Sequence, residues 1–275
     1  MGIMMRPRQV ACPCNCQRLI DMDYFKYRSS EPEKARTADL LRVLPKGHGS
    51  VLDIGARDGY FSRLLTGYFA SVTALDLMKP TFEFPGIVTV AGDVTRLEFP
   101  DNAFDCVFCA EVLEHIPNLE KACSEIVRVA RYEIVVGVPF KQDIRLWRTT
   151  CSSCGKANPP WGHVNSFDEA RLLELFSGFQ VLAKSFVGTS REATNPLAVA
   201  LMDLAGNPWG TYDGETRCLY CNADLLGSPE RRLNSRICSA LAHRINRVQS
   251  LLTRAHPNWI HLVLTKRLSG KVRAD

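Results

Sequence analysis

Two cysteine pairs, Cys151-Ser152-Ser153-Cys154 and Cys218-Leu219-Tyr220-Cys221, have the C-x-x-C spacing that presents two thiolates to one metal ion. Together they make a four-thiolate zinc set. Such a set leaves no open coordination position, so the zinc expected at Cys151, Cys154, Cys218 and Cys221 is structural. Between Cys154 and Cys218 lie 63 residues, far more than in a compact ribbon, and separate reduced thiols or a redox pair stand as the alternative. Cys12, Cys14 and Cys16 are read as part of an irregular tail, with a second metal site as the alternative. Cys106, Cys109 and Cys123 lie in apolar runs and are expected as buried thiols.

A second set of residues carries oxygen chemistry. Val51-Leu52-Asp53-Ile54-Gly55-Ala56-Arg57-Asp58-Gly59 reads as a buried strand, a tight glycine turn and the start of a helix. Glycine there lets the backbone approach a ligand closely. Asp76 ends the next strand, where a carboxylate can accept from both hydroxyls of a ribose. Asp53, Asp76, Asp93 and Glu111 all fall at or near strand ends. In an open α/β sheet those ends form the ligand edge. Four carboxyl groups there suit a cationic nucleoside and repel a pyrophosphate.

The elements that must position these groups follow from the periodicity of the 275-residue chain. Strands are predicted at 50–54, 71–75, 87–91, 104–110, 133–138, 179–187 and 259–266. Helices are predicted at 31–44, 60–68, 119–130 and 167–176, the last with Ser166 as N-cap and Glu169 closing a capping box. The alternation predicts a parallel sheet with helices on both faces. Three regions follow: an irregular segment, 1–30; a main domain, 31–188 and 259–275; and a lid or insertion, 141–165 and 189–258. Within the last, 230–256 reads as a basic amphipathic helix with Leu233, Ile237, Leu241, Ile245, Val248 and Leu252 on one stripe. The favoured reading docks it by that stripe with its arginines in water; contact with anionic lipid or RNA is the alternative.

Composition sets the outer limits. Apolar residues are 46% and charged residues 23%, enough for a globular core and too apolar for a mainly disordered chain. A formal charge of +5 does not by itself imply nucleic acid. No apolar run is long enough for a transmembrane helix, and Met1 to Cys16 lacks the apolar core of a signal peptide, so a cytoplasmic location is expected.

VLDIGARDGYFS, the acid of ALDL, GDVTRLEFPDNAFDCVFCAEVLEHI and HVNSFDEARLLELFSGFQV together resemble the class I S-adenosylmethionine-dependent methyltransferases over roughly residues 35–187. The resemblance implies a Rossmann-like, seven-stranded, mostly parallel sheet whose last strand is antiparallel. It also implies that Asp53, Gly55 and Gly59 hold the methionine part of S-adenosyl-L-methionine and that Asp76 holds its ribose. Asp93 and the Val94 backbone would meet the adenine, and Glu111 would line the site. One departure is Arg57, which replaces the usual middle glycine of the turn.

Methyl transfer to a hydroxyl is an in-line displacement that also needs a proton acceptor, and His115 and His163 are the candidates. Glu111-Val112-Leu113-Glu114-His115 further resembles an E-x-x-E-H pattern that binds a divalent cation in some small-RNA and quinone-pathway methyltransferases; helix capping is the favoured role. Asn158-Pro159-Pro160-Trp161 matches the tetrapeptide of adenine-N6 methyltransferases but follows the fifth strand instead of the fourth, so that role is rejected. The expected function is methylation of a small-molecule acceptor (sugar, lipid or secondary metabolite), with oxygen favoured. RNA methylation and a non-catalytic binding scaffold are the alternatives.

Overall fold

A computed structural model describes residues 27–45, 49–212, 216–227 and 233–266. Cys12, Cys14 and Cys16 lie outside these residues.

Five strands run parallel: β1 (Ser50–Ile54), β2 (Ser71–Asp76), β3 (Ile87–Ala91), β4 (Phe104–Ala110) and β5 (Ala130–Pro139). A small antiparallel pair follows, β6 (Thr149–Thr150) and β7 (Ala157–Asn158). Then come β8 (Phe179–Val187) and β9 (Trp259–Lys266). The large sheet has the order β3-β2-β1-β4-β5-β9-β8, and β9 is antiparallel to both of its neighbours. This is the Rossmann-like seven-stranded arrangement expected from the sequence. The strand order reverses between β1 and β4, which opens a crevice at their carboxyl ends.

Side chains alternate across the central strands, and both faces are buried. Leu52, Ile54, Val107, Cys109, Ile134 and Val136 form one core with helix α3 (Leu119–Val129) and helix α4 (Glu169–Leu175). Val51, Cys106, Phe108 and Val135 form the other with α1 (Glu31–Val43) and α2 (Tyr60–Leu65). A period of two with apolar residues on both sides is the signature of a covered parallel sheet. In α3, Leu119, Ala122, Cys123, Ile126 and Val129 recur at helical spacing and are all buried. Cys106, Cys109 and Cys123 are buried thiols, as expected.

Several boundaries differ from expectation. Helix α2 stops at Leu65, because Gly67 and the 66–69 turn carry the chain straight into β2. Helix α4 is capped by Asp168, whose Oδ1 accepts from the Arg171 N–H at 2.9 Å. Ser166 is not the cap; its hydroxyl donates to the Gln142 carbonyl and ties the loop after β5 to the approach of α4. Two further helices, α5 (Pro196–Leu204) and α6 (Leu233–Leu252), lie between β8 and β9. Most of the stripe expected to dock α6 does not do so, although Ile245 is half-buried. Ile237, Leu241, Val248 and Leu252 are exposed, and the helix packs through Ser239 and Ala242 instead. Periodicity locates an apolar stripe but cannot say which neighbour is there to receive it.

The packing of α3 gives a direct test. Ile126→Ala should lower unfolding free energy by about 2–5 kcal/mol, the range for deleting a fully buried aliphatic side chain. Denaturant unfolding would check it; a change within 0.5 kcal/mol, roughly the size expected of a surface site, would contradict this placement.

Candidate active site

The glycine turn closes over the carboxyl end of β1. Gly55 and Ala56 both donate to the Leu75 carbonyl, and Gly59 donates back to Ala56. Gly55 has φ 78°, and a Cβ there would stand 2.4 Å from Val112 Cγ2. Gly59 has φ 75°, and its Cβ would strike the Phe82 ring. Arg57, in the middle, takes φ 44°, a conformation glycine adopts more readily, with its side chain exposed. The conformation expected of a glycine is therefore kept although the residue differs.

Asp76 fastens this turn to the end of β2. Its Oδ2 accepts from the Arg57 N–H at 3.0 Å and its Oδ1 from the Leu77 N–H at 2.7 Å. Each carboxylate oxygen keeps a further lone pair. Asp53 sits beneath, buried, and accepts from the Ser62 hydroxyl at 2.5 Å. Burial pushes its pKa up to about 7 against the Ser62 hydrogen bond, with Asp76 and Asp58 adding to the rise. Asp93 closes its own loop, accepting from the N–H and hydroxyl of Thr95, and Val94 beside it is buried.

Glu111 leaves β4 with φ 57°. Its Oε1 lies 3.7 Å from Arg36 Nη1, and neither atom has a hydrogen-bond partner among the described residues. Burial raises the Glu111 pKa against the nearby Arg36, with Glu33 adding to the rise and Trp259 opposing it. Arg36 also grips Glu33 in two hydrogen bonds of 2.8 and 2.6 Å, and the pair is buried. Burial and Glu33 both raise the Tyr27 phenol pKa. Tyr27, Glu33, Arg36 and Trp259 were not singled out from sequence. The available signal was a charged pair, Glu33 and Arg36, one helical turn apart in the run that carries Ala35, Ala38 and Leu41.

Beyond Glu111 the chain forms a single 3₁₀ turn, Leu113–His115. The Glu114 carbonyl accepts from Val164 and Asn165, and the Asn165 amide donates to the carbonyls of Leu113 and Ile116. These bonds draw the HVNS segment onto β4 and bring His115 and His163 together. Their rings meet edge to face with centroids 4.6 Å apart. His163 Nδ1 lies 2.6 Å from Gln142 Oε1, so Nδ1 carries the hydrogen and Nε2 keeps the lone pair. Burial, with His115 nearby, pushes the His163 pKa down to about 3. Glu114 is wholly buried and neither carboxylate oxygen has a partner among the described residues; burial and Glu111 raise its pKa far above the usual carboxylate range. One ligand atom from each of Glu114, His115 and His163 lies within 4.8 Å of the others, close enough to share one cation.

The four knuckle cysteines converge despite their separation in sequence. Cys151 and Cys221 Sγ are 3.6 Å apart, as are Cys154 and Cys218 Sγ. Four sulfurs at about 2.3 Å from one zinc stand roughly 3.7–3.8 Å apart in a tetrahedron. The two knuckles share one backbone pattern. Cys151 N–H donates to the Lys156 carbonyl and Gly155 N–H to that of Cys151; Cys218 N–H donates to Ala223 and Asn222 N–H to Cys218. Gly155 and Asn222 occupy the same left-handed position, φ 71° and 57°. Asn158 of the NPPW tetrapeptide locks the halves together: its amide donates toward Cys218 Sγ, and its Oδ1 accepts from the Leu219 N–H. That asparagine is buried and tied into the knuckles.

Residues 52–133 match the family model described as a methyltransferase domain. The chain is 34% identical over 100 residues to a sterol 24-C-methyltransferase of Gibberella zeae, covering 32% of this chain and 26% of that protein. It is 30% identical over 125 residues to a phthiotriol/phenolphthiotriol dimycocerosates methyltransferase of Mycobacterium tuberculosis, covering 40% and 45%. The chain thus spans less than half the length of these curated relatives. Its fold is that of the Burkholderia thailandensis 1,6-didemethyltoxoflavin-N1-methyltransferase, solved with bound 1,6-didemethyltoxoflavin and S-adenosylhomocysteine: TM-score 0.51, 13% identity, covering 96% of this chain and 94% of that one. The sequence match falls on the strands that carry the glycine turn, Asp76, Asp93 and Glu111, and the fold around them agrees, which supports a class I S-adenosylmethionine-dependent methyltransferase domain over residues 52–133.

Proposed function

We propose that this protein moves a methyl group from S-adenosyl-L-methionine to an oxygen of a small-molecule acceptor. The observation that carries the reading is the meeting, around the carboxyl ends of β1 and β4, of a glycine turn fastened by Asp76 with an imidazole pair behind Glu111. When bound, the cofactor supplies an activated methyl on a sulfonium. Asp76 has lone pairs left for two ribose hydroxyls, and Asp93 with Val94 is the adenine end. Asp53, Gly55 and Gly59 take the methionine end, where a cationic ligand holds the Asp53 carboxylate in its charged form. The protein's work is alignment and exclusion of water.

The acceptor's proton goes to an imidazole. Burial leaves His163 a weak base, and its Nδ1–H is held by Gln142. His115, more exposed, is the proton acceptor, with His163 orienting it. Among sugars, lipids and secondary metabolites, the names of the relatives, a sterol and a dimycocerosate enzyme, favour a lipid. A second reading of the same residues is favoured by Glu114, a buried carboxylate whose oxygens lack partners among the described residues. Glu114, His115 and His163 would hold a divalent cation that polarises the acceptor oxygen. Chelation separates the two: loss of turnover restored by added magnesium or manganese while the zinc content stays unchanged selects the cation, and turnover indifferent to chelation selects the base. The knuckles bind a structural zinc that secures the segments following β5 and β8.

Calorimetric titration with S-adenosylhomocysteine should show one site per chain, and Asp76→Ala should weaken it at least about tenfold, the loss of roughly 1.4 kcal/mol of charge-assisted hydrogen bonding. Absence of binding by folded wild-type protein would favour the scaffold alternative.

Asp53 also sets a pH signature. Its folded pKa of about 7 exceeds the unfolded value of 3.8, so the neutral form favours the fold. That stability is complete below pH 4 and is lost as pH rises through 7. Asp53→Asn should therefore stabilise the ligand-free protein at pH 8 by up to about 4 kcal/mol and change little at pH 4, while weakening ligand binding. Thermal unfolding at the two pH values reads this; equal shifts at both would contradict it.

Elemental analysis should find about one zinc per chain, lost together with thermal stability in Cys218→Ser. Metal-free protein of unchanged stability would remove the zinc assignment.

A further inference from the structure

Helix α6 has its apolar and polar sides reversed relative to an ordinary packed helix. Its inward side is small and polar. Ser239 and Ala242 are buried, Asn246 Oδ1 accepts from the Thr194 hydroxyl at 2.7 Å, and Gln249 Oε1 accepts from the Asn195 amide at 2.8 Å. Its large apolar residues face outward: Ile237 is 53% exposed, Leu241 45%, Val248 59%, Leu251 71% and Leu252 83%. At 3.6 residues per turn they fall on one ridge, roughly 24 Å long at 1.5 Å per residue. Arg244 stands within the ridge, and Arg236, Arg247 and Arg254 run along one flank. All four arginines are exposed, and no aspartate or glutamate occurs from Leu233 to Arg254. Among the described residues none of these guanidinium groups has an acidic partner.

We propose that this ridge docks on an anionic lipid bilayer surface, with the apolar side chains at the acyl boundary and the arginines on the head groups. Charge and shape decide between occupants. A second copy of the same face would set arginine against arginine across a two-fold axis. RNA would satisfy the arginines and leave five apolar side chains against phosphate. A bilayer of anionic lipid satisfies both at once: aliphatic side chains enter, and the arginine stems reach along them to phosphate. No helix among the described residues is long and apolar enough to cross a membrane, so this contact lies in the plane of the surface. The location has a functional sense. Only residues 253–258 separate α6 from β9, whose first residue, Trp259, pairs with Pro139 at the carboxyl end of β5. A docked α6 holds the end of β9 that carries this contact close to the lipid. The inference rests on the helix alone and stands whether or not methyl transfer is the activity.

The test is co-sedimentation of the full chain with vesicles of phosphatidylcholine, with and without phosphatidylglycerol. The mixed vesicles should bind it at least about tenfold more tightly, and rising salt should reverse the difference. Leu241→Ser/Val248→Ser and Arg244→Glu/Arg247→Glu should each reduce partitioning about tenfold or more with unchanged thermal unfolding, because the side chains are exposed. Variants that bind as well as the wild type overturn the proposal. So does a dimer, seen by light scattering, that dissociates in Leu241→Ser/Val248→Ser. RNA retention lost in Arg244→Glu/Arg247→Glu, with vesicles ignored, overturns it in favour of nucleic acid.

Discussion

Carboxylates crowded on one edge of a sheet repel one another, and much of this protein is arranged to hold them there. Asp53 and Asp76 end neighbouring parallel strands, and Glu111 stands across the point where strand order reverses. Each is managed differently. Asp76 takes two backbone N–H donors from the turns it joins. Asp53 takes one hydroxyl and accepts a raised pKa. Glu111 faces a buried guanidinium that is already committed to Glu33. In the proposed function, the residual unsatisfied charge favours a cationic ligand, because burial in low dielectric magnifies whatever is left unpaired. The glycine turn, the positive φ of Arg57 and Glu111, and the buried charged pair on α1 all follow from that arrangement.

The loop after β5 depends on the same edge. The Glu114 backbone carbonyl accepts from two consecutive amides, and Asn165 returns two hydrogen bonds to the 3₁₀ turn. That closure sets His163 against His115 and Gln142. The sulfur cluster secures the far end of the same loop, through Cys151 and Asn158, to the segment that carries Cys218 and Cys221. The proposed zinc would suit this task because the segments share few apolar contacts: Cys151, Cys218 and Leu225 are the buried members of a small separate cluster. The imidazole pair and the thiolate set are thus two ends of one connection. One faces the proposed reaction, and the other fixes the loop that delivers it.

What a sequence can determine by itself is local. Period-two apolar runs identify strands, since a strand shows alternate residues to opposite faces whatever lies beyond it, and the seven strands of the large sheet were legible within a few residues. The glycine turn and the acids after β1, β2, β3 and β4 were legible because strand-end position follows from strand assignment. The C-x-x-C knuckles were legible as pairs because two cysteines on one tight turn can only point together.

Only the tertiary structure decided which distant groups meet. Whether thiolates 63 residues apart share one centre depends on the paths of two loops, and no local pattern carries that information. The same holds for Arg36 beside Glu111, for His115 against His163, and for Asn158, whose motif pointed to another chemistry and whose amide grips a sulfur. Ser166 had the right type and spacing for a cap, yet Asp168 won because its carboxylate reached the Arg171 amide while the serine hydroxyl was drawn to Gln142. Helix α6 shows the limit most plainly: its stripe was readable, but its direction was not. A helix buries whichever face its neighbours can fill, and Thr194 and Asn195 offered hydrogen bonds to the polar side.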